Sequence, residues 1–118
     1  DARTLYEDLY CARGEMENRI KECQLDLFAE RTSTATQRAN QLRLWFASMA
    51  YVLLDGLRRI GLAATRLANA TCGSIRLKLF KVAALVRISV RRVKISITSR
   101  HPWQRDWAIA HAALTAAA

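Results

Sequence analysis

Workable zinc-ligand spacings and an apolar run long enough to cross a bilayer are both missing from this chain. Its three cysteines, Cys11, Cys23 and Cys72, form no C-x-x-C pair, and His101 and His111 lie far from all three along the sequence. That spacing argues against a zinc site and a disulfide framework. It predicts small, buried, reduced thiols in a cytoplasmic protein. No charged n-region precedes an apolar stretch, so no secretory signal is expected. The longest apolar run, Leu44 to Leu54, is broken only by Ser48, and its eleven residues suit a buried core helix rather than a membrane span. There is no internal repeat, and no Met opens the sequence, which suggests a piece of something longer.

Acidic residues are the next scarcity, and their distribution is informative. The 118 residues carry a net charge of +9, with 52% apolar and 25% charged residues, a composition of the globular class and about the size of one domain. The charge is uneven. Residues 1–30 hold four basic and eight acidic side chains, whereas residues 31–118 hold fifteen basic and two acidic ones. From Gly56 to Arg105 there are twelve Lys or Arg and no acid. A region of that sign attracts a polyanion, and nucleic acid is the commonest. The bland alternative is a merely solvated basic surface.

Periodicity predicts a mainly α protein with a minor β element. Residues 4–28 place Leu5, Leu9, Met16, Ile20, Cys23 and Leu27 on one helical stripe, weakened only by Gly14. The hydroxyl-rich stretch 31–36 reads as a loop ending in a helix N-cap. A second helix is expected over 36–60 and stopped by Gly61. Because it is apolar nearly all round, it is expected to be covered on most sides. Residues 74–86 keep helical spacing, although Ile75-Arg-Leu-Lys-Leu79 also alternates like a strand. From Val86 to Ile97 the alternation slips phase at Arg91-Arg92, which is not hairpin-turn chemistry, so one bulged strand is predicted. Pro102 opens a last helix bearing Trp103, Trp107 and Leu114. Trp45, Trp103 and Trp107 read as core rather than as base-stacking platforms.

The residues with chemistry to offer lie in Tyr10-Cys-Ala-Arg13-Gly-Glu-Met-Glu17-Asn-Arg-Ile-Lys21. On a helix, Tyr10, Arg13 and Glu17 stand at i, i+3 and i+7, within an arc of about 60° beside the apolar stripe. A carboxylate there borders a cleft rim. Lys21 follows one turn after Glu17 on the same arc, and so does Gln24. Read without further context, Glu17 is an ordinary surface acid paired with Arg13 or Lys21.

This box resembles the Tyr-x2-Arg-x3-Glu signature around the third acid of DDE transposases. Neighbouring words point the same way: Arg13-Gly-Glu-Met-Glu-Asn-Arg-Ile-Lys-Glu22, Asp26-Leu-Phe28, Arg31-Thr-Ser33, Ala39-Asn-Gln-Leu-Arg-Leu-Trp-Phe46 and Thr71-Cys-Gly-Ser-Ile-Arg-Leu-Lys78. Together they look like the C-terminal region of a bacterial insertion-sequence transposase, over most of the chain. The resemblance implies residues 1–118 as the incomplete C-terminal part of an RNase H-like α/β core. Residues 1–30 would be the helix with the third acid, and 31–118 a basic helical region with a strand near 86–97.

It further implies three carboxylates holding two Mg²⁺ ions for phosphodiester cleavage and strand transfer. Hard divalent ions favour carboxylate oxygens, and two of them can clamp an in-line displacement. Carried over, Glu17 becomes the catalytic metal ligand, and Tyr10 and Arg13 become contacts to DNA phosphates. Lys21, Arg87, Arg91, Arg92 and Lys94 are the further DNA-binding candidates. Where the family box usually carries a Lys seven residues after the Glu, this chain has Gln24, and the sequence leaves open whether Gln24 or Lys21, on the same face, takes that place. The two partner Asp residues belong on upstream strands, so the chain alone is expected to be inactive. The expected partners are transposon-end and target DNA and a second copy of the chain, with no membrane. The rival class is a non-catalytic, basic nucleic-acid-binding remnant of a decayed element. A weaker third is a helical scaffold on acidic membrane surfaces.

Overall fold

Acidic and basic side chains four residues apart stitch the first helix together. Salt bridges join Arg3 to Glu7 at 2.9 Å, Arg13 to Glu17 at 3.2 Å and Glu15 to Arg19 at 3.3 Å, with Arg19 also reaching Glu22 at 2.8 Å. Pairs of this kind add about 0.2–0.5 kcal/mol each. In the computed structural model, which describes residues 1–117, helix α1 is continuous over the segments Ala2–Thr4, Leu5–Tyr10, Cys11–Lys21 and Glu22–Asp26. The second and fourth segments carry the wider i→i+5 bonding of a π-helix. Phe28 ends α1 at φ 61°, a left-handed conformation that glycine adopts more easily, and the Arg31 guanidinium stacks over its ring at 4.3 Å. The apolar stripe is not a buried face. Leu5, Leu9, Met16 and Ile20 are exposed, while Cys23 and Leu27 are half-buried.

The hydroxyl-rich loop is fastened to the next helix. The Thr34 N–H donates to Asn40 Oδ1 at 3.0 Å, and Asn40 Nδ2 returns a bond to the Thr34 carbonyl at 3.1 Å. Thr36 Oγ1 accepts from the Ala39 N–H, which is the predicted N-cap. Helix α2 then runs over Gln37–Gly56 and on through Leu57–Gly61. Its mid-section departs from expectation: Leu42, Leu44, Trp45, Phe46, Met49, Val52 and Leu53 are exposed, Leu53 to 72%. Trp45 is therefore not a core residue. Apolar composition marked a helix that wants cover, but it could not supply the covering surface.

The chain forms two compact units, Asp1–Leu53 and Leu54–Ala118. The second holds most of the core: Leu54, Leu62, Leu67, Cys72, Ile75, Leu79 and Ala110 are buried. Complete burial of a leucine or isoleucine side chain contributes about 1.5–3 kcal/mol. Helix α3 spans Cys72–Ile75 and continues through Arg76–Phe80, capped by Thr71, so residues 74–80 are helical rather than extended. Helix α4 is Gln104–Ala117. Gly61 ends α2 without a left-handed backbone. What it provides is proximity, because a Cβ there would lie 2.9 Å from Leu57 and 3.4–3.5 Å from Leu114 and Ala110 of α4. Of the thiols, Cys72 is buried, Cys11 exposed and Cys23 intermediate, so burial holds for one of three. Partial burial, then the nearby Glu22 charge, push the Cys23 thiol above its ordinary range.

Residues 86–97 are not one bulged strand. Strands β1 (Ala84–Ile88) and β2 (Val93–Ile97) form an antiparallel hairpin in the register Ala84↔Ile97 through Ile88↔Val93. The tip closes without glycine or positive φ. Ser89 N–H donates to the Arg92 carbonyl at 2.9 Å, while Ser89 Oγ accepts from the Arg92 N–H at 3.2 Å. That side chain supplies what Arg91-Arg92 lacks, and the phase slip is the turn itself.

Asp106 ties the second unit together. It is 3% exposed, takes the Arg66 N–H on Oδ1 at 3.4 Å and Arg66 Nη2 on Oδ2 at 2.6 Å, and spans 40 residues of sequence. The Arg66 hydrogen bond holds its carboxyl below the usual range against the opposing effect of burial. Its stabilisation is therefore complete above the unfolded-state pKa of about 4 and lost as pH falls through the lower folded-state value. Acid denaturation monitored by Trp fluorescence should show the second unit losing stability below about pH 4, with that component absent in Asp106→Asn. An unchanged acid profile would show that Asp106 does not govern it.

The exposed face of α2 should bind a hydrophobic dye such as ANS. Trp45→Gln with Leu53→Gln should lower the dye fluorescence, and no dye response in the parent chain would mean these side chains are covered.

Candidate functional site

Helical spacing brings Tyr10, Arg13 and Glu17 to one side of α1, and with Gly14 they line an open concavity of about 200 Å³. Arg13 Nε donates to Glu17 Oε1 at 3.2 Å, and both side chains are more than half exposed. An ion pair so placed contributes only a few tenths of a kcal/mol, about 0.3–0.5 for an i,i+4 pair. Either member can exchange its partner for a cation or a phosphate at small cost. Tyr10 is oriented from behind by Tyr6, whose ring stacks on it with centroids 5.4 Å apart and planes 14° apart. The change from i→i+5 to i→i+4 bonding falls between Tyr10 and Cys11, at the edge of the concavity. Lys21 and Gln24 are exposed on later turns and do not line it.

Two contributors escaped the sequence reading. Tyr6 was visible as an aromatic residue one turn before Tyr10. Gly14 looked like a helix defect, yet a Cβ built there meets nothing within 4 Å, so the glycine leaves room in the concavity. Among the described residues, no group of three or more His, Cys, Asp or Glu side chains gathers to hold a metal ion. Asp55 is paired with Arg59 at 2.7 Å, and Asp106 with Arg66.

The second set of candidates gathers on the hairpin. Arg87 and Lys94 are directly opposed across the strands. Arg91 and Arg92 stand in the turn that joins the two strands. The other face presents Val86 opposite Ile95 and Ile88 opposite Val93, all four exposed. Like charges directly opposed cost stability, and a bound anion would relieve them. A two-stranded ribbon is also a shape that the major groove of B-DNA admits.

The chain is mainly α and strongly basic, with a carboxylate, a guanidinium and a phenol around one concavity. The chain belongs to the transposase DDE domain family, group 1, whose family model matches residues 1–118. Its function is accordingly of the transposase type, which implies DNA as partner. No curated protein and no solved structure matches it. Among the described residues no helix is long and apolar enough to cross a membrane.

Gly14 provides a test of the concavity. Gly14→Ala should stabilise α1 by about 0.5–1 kcal/mol, the usual gain over a mid-helix glycine, while narrowing the space beside Arg13. Higher helicity by circular dichroism together with weaker oligonucleotide binding is the expected outcome. Unchanged binding would remove the concavity from consideration.

Proposed function

We propose that this chain supplies the third acidic residue, Glu17, of an RNase H-like transposase core that cleaves and joins phosphodiester bonds at transposon ends. The supporting observation is the meeting of Tyr10, Arg13, Gly14 and Glu17 around one concavity, in a chain matched by the family over residues 1–118. Mg²⁺ suits the donor chemistry, because Glu17 offers hard carboxylate oxygens, and this ion is often held by one or two carboxylates with phosphate oxygens and water. Glu17 would hold it as one ligand among several, and on this reading two Asp carboxylates from outside these residues complete the set. Bound Mg²⁺ supplies Lewis acidity, which activates water or a 3′-hydroxyl and stabilises the leaving oxygen.

The protein's own groups have separable tasks. Arg13 gives up its weak pairing with Glu17 and turns its fork of N–H donors onto phosphate oxygens, freeing the carboxylate. Tyr10, steadied by Tyr6, donates its phenol to a neighbouring phosphate oxygen. Lys21 extends the positive edge one turn further, in place of the position held by Gln24. Arg87, Arg91, Arg92 and Lys94 neutralise backbone phosphates along the hairpin. A second copy of the chain would cover the exposed apolar side chains of α2. The second reading, a non-catalytic nucleic-acid-binding remnant, draws on Glu17 being the one acid among the residues that line the concavity.

Duplex DNA carrying a transposon end tests both readings. The chain should bind at the 10⁻⁴–10⁻⁶ M order of non-specific contacts, with affinity falling as salt rises. It should neither nick nor join the DNA with Mg²⁺ or Mn²⁺. Replacing Arg87, Arg91, Arg92 and Lys94 with Gln should flatten the log–log salt slope by roughly 0.9 per lost phosphate contact. In a transposase containing the other two acids, Glu17→Gln should abolish cleavage and spare DNA binding. Cleavage that survives Glu17→Gln would sink the catalytic assignment, and an unchanged salt slope would place the DNA surface elsewhere.

A further inference from the structure

A separate cationic cluster lies in the second unit. Arg66 sits over the Trp103 ring at 4.4 Å from its centroid, and Lys78 sits over the same ring at 4.7 Å. Each cation is attracted by the ring's quadrupole, yet two like charges gathered at one ring repel, and an anion beside them offsets that repulsion. Three elements converge to build this arrangement: the turn after α2 carries Arg66, α3 carries Lys78, and Trp103 directly precedes α4. Arg66 is immobilised by both oxygens of the buried Asp106. The Trp103 main-chain N–H donates to His101 Nδ1 at 3.4 Å.

One of the two charges is already answered and the other is not. Asp106 neutralises Arg66, whereas among the described residues Lys78 forms no ion pair. Arg66 spends Nη2 on Asp106 and keeps its guanidinium largely exposed, its side chain 65% accessible. The start of the 14-residue α4 adds the positive end of a helix dipole next to Trp103. The sequence from Gly56 to Arg105 carries no acid, so Asp106 is the one carboxylate that the described contacts bring to the cluster.

We infer that Arg66, Trp103 and Lys78 form a phosphate-binding clamp for the backbone of nucleic acid, separate from the hairpin and from the Glu17 concavity. The inference rests on the transposase reading for its choice of DNA as ligand. The ring's part is to gather the two cations at one place, and the phosphodiester supplies the missing negative charge. Contacts of this kind set register on the duplex and carry no sequence information.

Lys78→Gln is the informative variant, because it removes the unanswered charge and leaves the Asp106–Arg66 pair intact. Duplex DNA titrated into the full chain should shift the Trp103 indole resonance, assigned with Trp103→Phe. Lys78→Gln should reduce the log–log salt slope by about 1, leave the melting temperature unchanged, and weaken binding evenly across unrelated sequences. Lys78→Arg should restore the slope. Duplex binding with a still Trp103 resonance, or an unaltered slope in Lys78→Gln, overturns the clamp alone. A response to inorganic phosphate at the same concentration as to duplex would show a free-anion site and also overturn it. Absence of any duplex binding by the parent chain overturns the transposase reading, and the clamp with it.

Discussion

A single buried carboxylate organises the second unit. Residues 54–118 contain only two acids, Asp55 and Asp106, amid a large excess of Lys and Arg. Asp106 alone is buried, and it reaches back 40 residues to fix Arg66 by main chain and side chain together. Mutual repulsion among so many cations opposes compaction, and one desolvated negative charge placed centrally offsets part of it. The consequences spread outward: the turn after α2 is held to α4, Trp103 is covered by Arg66, and the Trp107 indole N–H reaches the Leu79 carbonyl at 2.8 Å. Around that framework Leu62, Leu67, Ile75 and Leu79 become fully buried.

Elsewhere the chain leaves apolar surface in solvent. One side of the hairpin, the mid-section of α2 and the stripe of α1 are all exposed. An isolated two-stranded ribbon is marginal in water. These surfaces are therefore where the hydrophobic driving force for association is concentrated. The hairpin combines the two tendencies. Its alternation sends Arg87 and Lys94 to one face and Val86, Ile88, Val93 and Ile95 to the other. A ribbon built this way can meet a polyanion on one side and an apolar surface on the other.

The Glu17 concavity shows how far spacing alone reaches. Intervals of three and four residues necessarily bring Tyr10, Arg13 and Glu17 together once α1 forms, because the helical period does the placing. The identity of those residues, and the words flanking them, carry the resemblance to the family. Tyr6 and Gly14 were less legible. An aromatic stack depends on rotamers, and a glycine in a helix signals weakness unless the space beside it is known.

By itself, the sequence determined the helical periods, the caps, the lopsided charge and the Tyr-Arg-Glu box. All of these are local: they depend on intervals of a few residues and on intrinsic side-chain chemistry. Only the tertiary structure decided that Val86 to Ile97 turns back on itself, since the turn is closed by a Ser89 hydroxyl rather than by a residue type that announces a hairpin. It alone decided that Gly61 serves a close helix contact, that Trp45 lies in solvent, and that Arg66, Lys78 and Trp103 meet. Those outcomes depend on residues far apart in sequence that share one neighbourhood, and no local pattern encodes which distant partners will arrive there.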